Sequence, residues 1–171
     1  MSFSDSRPLD PWRWIGLPTL LCLGASVLFA IPIRIHGYQL PEPIFPLIPT
    51  FAWAMIRPSI LAPFVLFGMG LFLDMLWYTP TGFWGVTMLI GYAMVMFFRS
   101  TMTGQSRVVL WSWFGTMVLL VMVSGYIITI LDTGRPPSVM ASFWQFLPTT
   151  LLFPFSHRLI DRFDDADVRF R

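Results

Sequence analysis

The chain has 171 residues, of which 56% are apolar and 12% charged, with a formal net charge of +2 and a mean hydropathy of +0.68. A water-soluble domain of this size needs more polar residues to cover its surface, so the composition points to a bilayer as solvent. All eleven basic residues are arginines and they are scattered along the chain, which excludes a nucleic-acid groove with its clustered basic side chains.

Residues 1–13 read as a short cytoplasmic lead, with Trp12 and Trp14 where interfacial aromatics anchor a helix. Six apolar stretches come next: Trp14–Ile33, Ile44–Ile56, Ile60–Tyr78, Gly82–Phe98, Val108–Leu131 and Val139–Phe155. Five are near the length of roughly 17–25 residues that crosses a ~30 Å hydrocarbon core. The first lacks a small-residue cleavage site and is expected to remain as a membrane helix. Its Cys22, the single cysteine, has no second thiol to pair with and reads as a small buried hydrophobe.

The second stretch is the exception, because it carries Pro46 and Pro49 and at 1.5 Å per residue reaches only about 20 Å. It is a short span, a bent one or a re-entrant segment, and charge placement favours a span. With both termini inside, nine arginines lie on the inner side and only Arg34 and Arg135 on the outer, a clear positive-inside bias that disappears if the stretch is dropped. The expected architecture is therefore an all-α polytopic membrane protein, with a lead (1–13), a six-helix transmembrane domain (14–156) and a cytoplasmic tail (157–171).

The outer loop 34–43 is too short for a domain, and its His36 has no second ligand at metal spacing. Arg57-Pro58 forms a tight inner turn, because proline disfavours helix at the residue before it and opens the next one. In the third stretch, Gly68 and Gly70 offer a small surface for close helix packing, with Asp74 four residues beyond Gly70 on the same side. A carboxylate inside a membrane is costly and marks a functional candidate: a buried switch, a proton site or an interface contact. The competing reading is a carboxylate near the outer end of its helix, before the turn Thr79-Pro80-Thr81-Gly82, that hydrogen-bonds locally. Thr87, Thr116, Tyr126 and Thr129 are the candidate donors across helices.

Pro148 and Pro154 are expected to bend or interrupt the last span. Beyond it, Leu159, Phe163, Ala166 and Phe170 recur at helical spacing among charged residues, the pattern of an amphipathic helix. Leu159, Phe163 and Phe170 would form its docking face, toward lipid or a protein partner. No Gly-x-Ser-x-Gly, His-Glu-x-x-His or phosphate loop with lysine occurs, and the chain has no lysine. Neither an enzyme nor a cofactor is expected, and no metal site.

Five features resemble the MreD family, the multispanning subunit of the bacterial rod-shape machinery. They are a proline-containing entry to a short second helix with Trp53, the Arg57-Pro58 turn, Gly70-x-x-x-Asp74, Pro80-x-Gly82, and a late aromatic-flanked Pro154 before a basic tail. One position departs: members often carry Arg-Pro at the start of the second helix, where this chain has Ile48-Pro49. The resemblance implies a non-catalytic scaffold in the bacterial inner membrane that binds MreC and couples MreB filaments to RodA and its transpeptidase, without a small-molecule substrate. Gly68, Gly70 and Asp74 would shape one docking face. The chain is also similar in size and six-helix layout to the vitamin-binding subunits of energy-coupling-factor transporters, which makes such a subunit the alternative.

Overall fold

The computed structural model describes residues 12–30, 34–35, 38–39, 42–56 and 59–168. A single π turn, Trp12–Gly16, leads into α1 (Leu17–Phe29), followed by a two-residue antiparallel ladder of β1 (Arg34–Ile35) and β2 (Tyr38–Gln39). The helices α2 (Leu47–Ile56), α3 (Leu61–Trp77), α4 (Phe83–Met102), α5 (Arg107–Thr133), α6 (Val139–Thr150) and α7 (Phe153–Val168) complete the order. Prolines set several of the starts. Pro18, Pro49, Pro63 and Pro154 each lie within the first three residues of α1, α2, α3 and α7, where an amide N–H has no helical partner to lose.

At about 1.5 Å per residue α4 reaches about 30 Å and α5 about 40 Å, and both are apolar enough to cross a membrane. In their most apolar windows only 39% and 28% of residues are buried. Phe97, Leu119, Ile127 and Leu131 are among the large apolar side chains left on the surface, as expected where the surrounding solvent is hydrocarbon. The architecture fits an α-helical membrane protein.

The short helix α2 lies at the centre. Every residue from Leu47 to Ala54 is buried, the mark of a helix that is apolar all round because neighbours cover every side. It runs back along α1: Phe45, just before α2, meets Phe29 with ring centroids 5.1 Å apart, and Trp53 meets Trp14 at 6.3 Å. On another side Phe51 packs edge-on against Phe114 of α5 and Phe153 of α7. Trp14, Phe51, Trp53, Phe114 and Phe153, with Leu66, Met69, Met88 and Met117, belong to one continuous core, and Phe45 packs against it.

The sixth apolar stretch is not one helix. It divides at Leu151 and Leu152, leaving α6 with twelve residues. The Pro154 ring excludes the carbonyl four residues before it, and that carbonyl, of Thr150, receives the indole Nε1–H of Trp111 at 3.1 Å instead. Pro148, by contrast, stays inside α6. The tail helix therefore begins at Phe153, ahead of the expected boundary at residue 157, and Leu159 packs partly buried against the core. On α7, His157 Nδ1 lies 2.7 Å from Asp161 Oδ2.

Candidate functional site

Helix α3 ends in a left-handed residue, Tyr78 (φ 54°), whose amide donates to the Asp74 carbonyl. Thr79 N–H reaches the same carbonyl at 3.0 Å, so the chain reverses just past the Asp74 side chain. The next helix begins at Phe83, after Gly82 in the left-handed region at φ +92°, where a residue without Cβ carries no steric penalty. This sharp reversal places the free amides of the α4 N-terminus directly over the Asp74 carboxylate.

Three donors meet that carboxylate. Thr79 Oγ1–H donates to Oδ1 at 2.8 Å, Gly82 N–H to Oδ2 at 2.7 Å and Trp84 N–H to Oδ1 at 3.0 Å. Asp74 is 2% exposed. It therefore acts as a capping acceptor supplied from the preceding helix, filling the role that an N-cap side chain fills from within its own helix. Negative charge at a helix N-terminus is also favoured by the helix dipole.

The local reading of Asp74 is the one the geometry bears out, and its donors differ from those expected. Thr87 Oγ1 donates to the Trp84 carbonyl, Thr116 to Ser112 and Thr129 to Gly125. A hydroxyl on a helix can always reach a carbonyl three or four residues back, so these side chains are engaged within their own helices. The turn between α3 and α4 supplies what Asp74 needs.

Gly70 brings the two helices together. A Cβ there would lie 2.2 Å from the Gly85 amide nitrogen, so only glycine permits this approach. Gly68 differs: it is exposed, with nothing within 4 Å of its would-be Cβ. Residues two apart on a helix sit about 200° apart around its axis, so Gly70 and Asp74 share the buried face of α3 and Gly68 lies on the opposite one. The expectation that all three form a single face is corrected accordingly.

The remaining sequence candidates scatter. Pro80 is exposed in the turn, its carbonyl accepting from Phe83 N–H at 3.0 Å. Trp53 is fully buried in another part of the molecule and donates its indole N–H to the Trp14 carbonyl at 3.0 Å. Pro154 is exposed at the start of α7. Arg57, Pro58, Phe170 and the side chain of Phe163 lie outside the described residues.

One residue escaped the sequence reading except as a positive charge. Arg99, three residues before the end of α4, donates through Nε to the Met55 carbonyl at 2.8 Å and through Nη2 to Ile56 at 3.0 Å. It closes the C-terminus of α2, whose last carbonyls have no helical donor. Its position at the edge of an apolar run was visible in the sequence, but its target was not.

Beside the corner, Trp77 and Trp84 pack edge to face at 5.1 Å. Their indole nitrogens are buried and find no hydrogen-bond acceptor among the described residues. Among those residues no group of three or more His, Cys, Asp or Glu side chains is placed to hold a metal ion. Asp74 and Arg99 thus both serve helix ends. No family model matches the chain, and neither a curated protein nor a solved structure matches it.

Proposed function

We propose that this chain is a non-catalytic scaffold of the MreD type, a six-span protein of the bacterial inner membrane with both termini in the cytoplasm. In this reading it binds MreC and links MreB filaments to RodA and its transpeptidase. The observation that carries the reading is the corner between α3 and α4. Gly70, Asp74, Pro80 and Gly82, which supply two of the five features of the resemblance, form one structural unit there. They define a helix hairpin, an arrangement that suits a scaffold.

A second feature supports it. Asp74 and Arg99 are both engaged with backbone inside the chain, while apolar side chains dominate the outer faces of α3, α4 and α5. Such surfaces suit helix association in lipid, where close packing and small residues replace the hydrophobic effect. On α3 the small residue available to a partner is Gly68, flanked by exposed Phe64 and Phe67.

The test is a mild-detergent pull-down of the tagged protein from native membranes, with the co-purifying proteins identified by mass spectrometry. Recovery of MreC with RodA or its transpeptidase supports the scaffold. Recovery of a transporter ATPase pair, or the absence of MreC from a folded preparation, overturns it. Gly68→Leu should lower MreC capture without lowering the melting temperature.

A further inference from the structure

An open cleft of about 530 Å³ lies between the turn after α3 and the last turns of α5. Pro80, Phe83 and Val86 form one wall, and Ile128 and Asp132 stand on the other. Three of the four threonine hydroxyls that line it are already engaged, Thr79 with Asp74, Thr129 with the Gly125 carbonyl and Thr133 with the Thr129 carbonyl. Asp132 is different, an exposed carboxylate with no ion-pair partner among the described residues.

Its position is electrostatically unfavourable on its own. Asp132 sits in the last turn of α5, where the backbone carbonyls already form the negative end of the helix dipole and a cation is favoured. Arg135 lies three residues later, exposed and likewise without an ion-pair partner among the described residues. Asp132 thus lines the cleft together with Phe83, Val86 and Ile128, while Arg135 follows in the adjoining loop, outside the lining residues.

We propose that this cleft holds the headgroup of a phospholipid carrying a primary ammonium and a phosphate. The ammonium is held by Asp132 and the carbonyl end of α5, the phosphate by the Arg135 guanidinium, and an acyl chain lies along Val86 and Ile128. The inference rests on the placement of α4 and α5 in a membrane. It also predicts a ranking. A choline headgroup has no N–H to donate to Asp132, and an anionic glycerol headgroup brings like charge toward it.

The test titrates the purified full-length protein in detergent with phosphatidylethanolamine, phosphatidylcholine or phosphatidylglycerol, read by native mass spectrometry and by thermal melting. Phosphatidylethanolamine should bind most tightly. Asp132→Asn, a change at an exposed residue, should weaken it by about fivefold, the upper end for an exposed ion pair, and leave phosphatidylcholine unchanged. Val86→Trp, which fills the cleft, should weaken it as well. Equal binding of all three lipids, or no effect of Asp132→Asn, overturns the site while leaving the membrane placement intact. Binding of none overturns both, and equal binding of water-soluble glycerophosphoethanolamine replaces the lipid with a free amine.

Discussion

Replacing Asp74 by alanine removes the acceptor of three donors in a single step. The amides of Gly82 and Trp84 and the hydroxyl of Thr79 lose their acceptor in an environment where the side chain they served is 2% exposed. A buried donor without a partner costs about 1–3 kcal/mol, and loss of a helix cap about 0.5–2 kcal/mol. The two amides enter both terms and Thr79 is free to rotate, so the terms overlap, and the expected total is about 3–5 kcal/mol. Asp74→Asn is milder. With its oxygen at the Oδ1 position it keeps Thr79 and Trp84 and turns an NH₂ group against the Gly82 amide, donor to donor, at about 1–3 kcal/mol.

The assay pairs thermal melting in detergent with amide hydrogen exchange. For a chain of this length each kcal/mol moves Tm by about 2–4 °C, so the alanine variant should melt roughly 6–20 °C below the parent, with asparagine between them. Exchange at Gly82 and Trp84 should quicken by about tenfold or more, since about 1.4 kcal/mol is a factor of ten. An Asp74→Ala protein with parental Tm and parental exchange at both amides would refute the capping role. Loss of partner capture in such a protein would place Asp74 in an interface instead.

Gly70→Ala should destabilise by about 1–3 kcal/mol, because its Cβ would press on the Gly85 backbone and overpacking carries that cost; Gly68→Ala, facing open space, should be neutral or stabilising by up to about 1 kcal/mol, and melting of the pair checks both. Arg99→Met leaves the Met55 and Ile56 carbonyls without their donors and should cost about 1–3 kcal/mol. Arg99→Lys should recover only part of this, because an ammonium lacks the planar fork that spans two carbonyls. Tyr78→Gly should raise stability by about 1 kcal/mol, since a φ of 54° is strained for a residue with a Cβ and the tyrosine is 96% exposed; an unchanged or lower Tm would show that the ring makes a contact that matters.

Much of the candidate corner was legible in the sequence. The spacing of Gly70 and Asp74 by four put them on one face, and Thr79-Pro80-Thr81-Gly82 announced a turn close enough for a local hydrogen bond. What the spacing could not decide was which local groups would donate. Thr87 and Thr129 were as plausible as the turn until the left-handed backbone at Tyr78 and Gly82 aimed the α4 amides at the carboxylate. The placement of Gly68 was recoverable from helical geometry alone.

The sequence by itself determined which segments are helical and how most of them start, because apolar runs bounded by proline, glycine and charge respond to local physics: prolines open α1, α2, α3 and α7, and a glycine closes α5. It also determined the apolar character of α4 and α5, a property of composition. Only the tertiary structure decided that Arg99 closes α2, that Trp111 takes the carbonyl freed by Pro154, and that Gly70 faces Gly85. Each of these joins residues distant in sequence or on different helices, through a hydrogen bond or a contact only a few ångströms long. Their satisfaction depends on the angles and separations at which whole helices pack, and no local pattern carries that information.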